Sequence, residues 1–284
     1  MKIILKYLLF CLPHHAITYF IGSFMKASIS RYAIKAYAKF YKIDISLIGK
    51  PIHEYKNLNE FFKRTLKPQA RPVDAHVDTL VSPADGTVTQ IGEIKNGTLI
   101  QAKGESYTVE SLLNDKNKAR AFRNGSFMTI YLSPKDYHRI HAPIDGSITD
   151  YSYIPGRLYP VNKFGVDTVK GIFTKNERIA TYLHSATGQL AIVKIGALIV
   201  GSVQLAFKNQ VDEHHKGQPL KNTLETLLPV DKGDEIGHFE FGSTVILLFE
   251  ENLIAINSTL EPGSSVKMGQ PVGYRVKRLE RKIN

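Results

Sequence analysis

Two textures divide the chain. From Ile17 to Tyr41 the apolar residues Phe20, Met25, Tyr32, Ile34, Tyr37 and Phe40 recur at helical intervals with lysines between them. That spacing predicts one or two amphipathic helices. Asn57 followed by Glu60 reads as a capping-box-like start to a short helix carrying Leu58, Phe61, Phe62 and Leu66 on one face, with Pro68 ending it. Beyond Pro72 the apolar residues come in short β-branched runs separated by turn signals at Asp85-Gly86, Asn96-Gly97, Asn124-Gly125, Asp145-Gly146, Thr187-Gly188, Lys232-Gly233 and Pro262-Gly263. The prediction is α+β, mostly β and antiparallel: a helical segment over residues 1–56 and a β-rich unit over 57–284. Within the latter, 111–120 has helical character and 211–220, with His214-His215-Lys216-Gly217, reads as a polar loop.

Charge sharpens the reading of the first segment. The chain has 284 residues, 43% of them hydrophobic, and a net charge of +11 from 37 Lys and Arg against 26 Asp and Glu. No acidic residue precedes Asp44, while Lys2, Lys6, Lys26, Arg31, Lys35, Lys39 and Lys42 sit among Leu, Ile, Tyr and Phe. Packing on the core explains helical periodicity as well as lipid does; the missing acids favour an anionic membrane surface. A nucleic-acid arm would carry more Arg and less aliphatic bulk, and no helix-turn-helix, zinc-finger or RNA-binding signature occurs. The run from Ile3 to Leu12 is about ten residues long, against roughly 20 for a spanning helix. It has the basic start of a signal peptide but no small-x-small cleavage site. Cys11 is the single cysteine, so no intramolecular disulfide forms.

Candidate chemistry centres on Gly242-Ser243-Thr244, ahead of the strand-like run Val245-Ile246-Leu247-Leu248-Phe249. A serine hydroxyl beside an unshielded glycyl carbonyl can attack it and exchange an amide for an ester. The plain alternative is a small-residue turn opening a buried strand. Ser243 needs a base and a group to orient it. Of ten histidines, His138 and His141 stand out, an i,i+3 pair between Pro134 and Pro143 at the end of an apolar strand. Two such histidines could share a metal ion, but no third ligand lies nearby in sequence, so no metal is expected. Asp85 and Asp145 occupy near-identical Pro-x-Asp-Gly turns, and sequence alone separates neither these two acids nor the two histidines. Tyr137 and Phe241 are candidates for an apolar substrate pocket, with core packing the alternative for Phe241.

Taken in order, Ser82-Pro83-Ala84-Asp85-Gly86, Gln101-Ala102-Lys103-Gly104, the run from Tyr131 to Pro143, Lys194-Ile195-Gly196-Ala197, Val200-Gly201-Ser202-Val203, Lys232-Gly233-Asp234-Glu235-Ile236-Gly237 and Gly242-Ser243-Thr244 resemble the phosphatidylserine decarboxylases, from about Asn57 to Gly273. Phe241 stands where that family more often has leucine. The Lys232–Gly237 turn is similar to those of lipoyl-type sandwich domains, so the resemblance implies an antiparallel β-sandwich-like catalytic core. It assigns Asp85, His141 and Ser243 to a self-processing triad that cuts between Gly242 and Ser243, and His138 to protonation of the substrate carbon after carbon dioxide leaves. It implies that Ser243 becomes a covalent pyruvoyl group, the cofactor and Schiff-base site, and that fragments 1–242 and 243–284 stay together as half of a homodimer. It also implies phosphatidylserine as substrate and a peripheral place on the cytoplasmic side of a cell membrane. Two rival readings make different demands: an autocatalytic serine hydrolase keeps Ser243 intact, and a lipid-surface binding module keeps the whole chain uncut.

Overall fold

The computed structural model describes residues 14–100, 106–197, 203–207, 218–239 and 243–276. The runs Ile3–Leu12 and Gln101–Gly104, the 211–217 part of the expected polar loop, Val200–Ser202, Phe241 and Gly242 lie outside the described residues, and of Ser243 the backbone alone is described.

The first segment forms helix α1 (His14–Lys26), a 3-10 turn (Ser28–Ala33) and helix α2 (Ile34–Phe40). One stripe faces inward: Met25, Ile34 and Ala38 join the same hydrophobic core as Phe61 and Phe62. Buried Ser30 ties the turn down, accepting from Leu58 N at 2.9 Å and donating to Met25 O at 2.8 Å. Helix α3 (Leu58–Phe62) starts as expected, with Asn57 Oδ1 accepting from Glu60 N at 2.8 Å. The Glu60 carboxylate reaches back to Lys56 N, one residue before the cap. The helix stops at Phe62, short of Pro68, and Leu66 instead makes an isolated bridge to Ile48. Among the described residues no helix is long and apolar enough to cross a membrane.

The β region contains, among the described residues, β1 (Thr79–Val81), β2 (Gly86–Glu93), β3 (Thr98–Ile100), β4 (Ser106–Thr108), β5 (Ser126–Leu132), β6 (Arg139–His141), β7 (Gly146–Ile154), β8 (Arg178–Ser185), β9 (Gly188–Ile195), β10 (Val203–Leu205), β11 (Leu220–Val230), β12 (Glu235–Phe239), β13 (Ser243–Phe249), β14 (Ile254–Ile256), β15 (Ser265–Val266) and β16 (Pro271–Arg275). They form an eight-stranded sheet in the order β11-β7-β8-β9-β13-β5-β2-β15, two three-stranded sheets, β10-β12-β6 and β1-β16-β14, and the hairpin β3-β4. Every ladder between these strands is antiparallel. Strand β13 runs through the middle of the large sheet with β9 and β5 on either side, and Val245 to Phe249 have no exposed surface. A strand covered on both faces needs such a continuous apolar run, at about 1.5–3 kcal/mol for each buried side chain.

The 111–120 helix is two short ones, Val109–Leu113 and Lys116–Ala121, because Asn114 takes a left-handed conformation and Asp115 caps the second. The two Pro-x-Asp-Gly turns lie side by side: His141 N donates to Pro83 O at 2.8 Å and Val81 N to Pro143 O at 2.9 Å. Gly86 opens β2 where a Cβ would run into the Tyr131 carbonyl, so the turn carrying Asp85 can press against the end of β5.

Candidate active site

Strand register gathers the predicted residues. On one side of β5, Thr87 pairs with Tyr131; on the other, Thr244 pairs with the same Tyr131 and Ser243 with Leu132. Asp85 and Ser243 therefore flank the end of β5, about 10 Å apart across two strand spacings. His141 is brought to the same place by its backbone bond to Pro83 O, and His138 by its carbonyl, which accepts from Phe239 N at 3.0 Å. From Phe239 the chain reaches Ser243 in four residues, at most about 14 Å. Ser243, which opens the central strand of the large sheet, thus lies within a short reach of the strand end beside His138.

The side chains do not form the expected Asp–His pair. Asp85, 1% exposed, accepts from Arg71 Nε at 2.7 Å and Nη2 at 2.5 Å and from Met268 N at 3.0 Å, with Lys267 Nζ at 3.5 Å. Burial pushes its pKa up, but Arg71 and Met268 more than offset this and hold the carboxyl below its ordinary range. His141 turns elsewhere. Its Nδ1–H donates to Gly233 O at 2.6 Å, and its Nε2 accepts from the Tyr137 hydroxyl at 3.1 Å. Burial lowers the His141 pKa against the opposing pull of the Gly233 carbonyl, so the ring is a neutral base whose lone pair lies on Nε2. Asp145, the rival acid, accepts from Lys232 N at 2.8 Å, as a turn residue does.

His138 is completely buried. Nδ1–H donates to Asp136 O at 2.8 Å, the ring packs on Phe62 with centroids 4.0 Å apart, and Nε2 has no partner among the described residues. Burial, and then the charge of Arg64, pull its pKa down to about 3. Its neutral form carries a bare lone pair. Tyr137 is 7% exposed and its hydroxyl is spent on His141, so it touches a proposed catalytic group, and it does not line the apolar cavity. Next to these residues an apolar cavity of about 500 Å³ separates the helical segment from the end of the sheet, its wall including Phe24, Met25, Tyr37, Phe62, Tyr131 and Pro134.

Sequence reasoning missed Arg71 and the Gly233 carbonyl. Arg71 lies between Ala70 and Pro72 in an irregular stretch with no periodicity to mark it, and a backbone carbonyl carries no residue-type signal. Among the described residues, no group of three or more His, Cys, Asp or Glu side chains is placed to hold a metal ion.

Residues 58–274 match the family model for phosphatidylserine decarboxylase. Similar proteins include the phosphatidylserine decarboxylase proenzymes of Brevibacillus brevis, 46% identical over 96% of this chain and 99% of the relative, and of Myxococcus xanthus, 42% identical over 92% and 95%. That of Shewanella frigidimarina is 40% identical over 95% of this chain and 96% of its own. The family match covers most of the chain and takes in Asp85, both paired histidines and Ser243; by it, the chain belongs to the phosphatidylserine decarboxylase family.

Proposed function

We propose that this chain is a proenzyme that cuts itself between Gly242 and Ser243 and then decarboxylates phosphatidylserine to phosphatidylethanolamine. The observation that carries this reading is the convergence of Asp85, His138 and His141, all nearly or fully buried, on the point where the chain enters β13 at Ser243. In the first reaction His141 Nε2 takes the Ser243 proton and the hydroxyl attacks the Gly242 carbonyl. Gly233 O already fixes the tautomer this needs, the service for which a triad uses its acid. Asp85, ionised beside Arg71, keeps its assigned place in the triad through its neighbour Pro83, whose carbonyl holds the His141 backbone; the carboxylates that act on the His141 ring itself are Glu235 and Asp234.

The group implied at position 243 is pyruvoyl, which when formed supplies a carbonyl to hold the substrate amine and accept the electrons of the broken carbon–carbon bond. The residues fit such a site: His138 presents a buried Nε2 that no described residue partners, in an apolar setting. Being neutral, His138 acts first as a base, accepting the proton that the substrate amine must lose. It then returns a proton to the substrate carbon once carbon dioxide has left.

After cleavage the fragments stay together, because residues 243–276 supply the central strand β13 and β16, which pairs with β1. The membrane face is the outer side of the helical segment, where Tyr19, Phe20, Phe24, Ile29, Tyr32 and Phe40 are more than half exposed beside exposed Lys26, Arg31, Lys35 and Lys39. We place it peripherally on the cytoplasmic side of a cell membrane; a homodimer rests on the resemblance alone. Mass spectrometry of the purified protein tests the reading. It expects two chains, the smaller lacking an α-amine and carrying a carbonyl; an intact Ser243 at a new amino terminus, or one uncut chain in an active preparation, overturns it.

A further inference from the structure

Among the described residues, Arg64 is a buried guanidinium beside the site for which the chemistry above has no use. It is 4% exposed, two residues past Phe62. Nη2 donates to Lys135 O at 2.7 Å and to Asp136 O at 2.9 Å, the two residues that follow cavity-lining Pro134. Among the described residues Nε and Nη1 are buried with no hydrogen-bond partner, and the acids that act on Arg64, Asp85 and Asp136, do so through space. Its charge rests on the Phe61 ring, 5.4 Å away, on which Tyr55 also packs at 5.2 Å. A buried guanidinium with three N–H bonds that no described protein group takes is expensive, and clipping one turn with Nη2 does not account for the other two nitrogens. Asp136 O accepts from both Arg64 Nη2 and His138 Nδ1, which fixes the guanidinium within about 6 Å of the His138 ring nitrogen by the sum of two hydrogen-bond lengths.

We propose that Arg64 receives the phosphodiester of the lipid headgroup. This rests on the reading of phosphatidylserine as substrate. The lipid carries acyl chains, phosphate and serine; the apolar cavity suits the chains, and Arg64 and His138, joined through Asp136 O, lie together behind the Phe62 wall of that cavity. Phe62 and Tyr37 stand in the cavity wall by Arg64, so the headgroup displaces an aromatic ring to reach it and is then shut off from water. The serine carboxylate is the wrong partner, since a cation that holds it resists the loss of charge that decarboxylation requires; the phosphodiester keeps its charge throughout. Phosphate on Arg64 also screens His138 from the charge that lowers its proton affinity.

Binding to the uncut Ser243→Ala chain tests this without turnover, using dihexanoyl phosphatidylserine and dihexanoyl phosphatidylethanolamine in calorimetric titrations. Arg64→Gln should weaken both about 10–100-fold, the worth of hydrogen bonds to a charged group. Arg64→Lys, which keeps the charge and can keep one carbonyl, should lose less, again equally for both. Loss confined to phosphatidylserine would mean that Arg64 holds the carboxylate, and unchanged binding would make it a structural clip; either overturns the proposal. If Arg64→Gln does not fold, the wild-type enzyme still decides: it should prefer dihexanoyl phosphatidylserine to O-hexylserine by at least about 10-fold in KM, and equal KM values would refute the phosphate contact. Failure of the decarboxylase reading looks different, because wild type would then release carbon dioxide from neither compound.

Discussion

Replacing Arg71 tests whether the ionised state of Asp85 matters to self-cleavage. Asp85 has three hydrogen bonds of 3.0 Å or less and Arg71 supplies two of them, so Arg71→Gln leaves a 1% exposed carboxylate with Met268 N and the half-exposed Lys267 at 3.5 Å. Breaking a buried pair by removing one partner costs about 3–5 kcal/mol. Part of that is relieved by protonation, since without Arg71 the Asp85 pKa rises. In wild type the depressed pKa stabilises the fold at all pH values above the unfolded carboxylate's range, and that contribution is lost as pH falls through the folded pKa. In the variant the anion becomes scarce at higher pH. If cleavage needs the Asp85 anion, a loss of 3–5 kcal/mol slows it by about 10²–10⁴-fold, and the remaining rate climbs with pH between 6 and 9, where wild type is flat. Fraction cleaved against time on denaturing gels, with folding checked by circular dichroism, measures both. Arg71→Lys should recover part of the rate, because one cation remains but the two-pronged grip does not. Cleavage of folded Arg71→Gln at the wild-type rate with a flat pH profile would refute the reasoning.

Three further outcomes are expected. His141→Ala should remain mostly uncut, whereas His138→Ala should mature but release carbon dioxide about 10²–10⁴-fold more slowly; the reverse pattern, scored by fragment analysis beside a carbon dioxide assay, would exchange their roles. Phe20→Ser with Phe40→Ser should reduce flotation with anionic liposomes, most at high salt where the lysines are screened, and leave cleavage unchanged; equal flotation would remove these rings from the membrane face. Lys194, fully buried with one hydrogen bond from Nζ to Thr181 Oγ1 at 2.6 Å, has its pKa pulled down by burial from 10.5 to about 7. Below pH 7 its penalty is fully present, and between pH 7 and 10.5 the unfolded chain holds the extra proton, so stability rises with pH. Lys194→Met in the uncut Ser243→Ala chain should therefore be more stable at pH 6 by about 2–4 kcal/mol, after the idle Thr181 hydroxyl is discounted, and should flatten the pH slope in urea titrations; parallel slopes would refute this.

What could be read from the sequence was what periodicity and turn chemistry encode. Five apolar residues in a row after Gly242-Ser243-Thr244 describe a strand covered on both faces, and Val245 to Phe249 form one. The Pro-x-Asp-Gly turns were legible, but not that they would lie crosswise, since that depends on bonds between residues some 60 positions apart. The acid's partner was illegible for the same reason: Asp85 pairs with Arg71, and a carbonyl at Gly233 takes the histidine. The helical segment shows the limit most clearly. Its 3.6-residue rhythm predicts one or two amphipathic helices with core and lipid as competing partners, and the structure divides the residues between them: the core takes Met25, Ile34 and Ala38, while Phe20, Tyr32 and Phe40 stay more than half exposed. Periodicity reports that a stripe exists and is silent about which neighbour covers it. Here there are two: one stripe belongs to the core, and the aromatic surplus, in a stretch without a single acid before Asp44, faces outward. Deleting residues 1–45 would therefore strip Met25, Ile34 and Ala38 from the core along with the outer rings, and a loss of liposome binding would confuse unfolding with detachment. Only substitutions on the outer face separate the two.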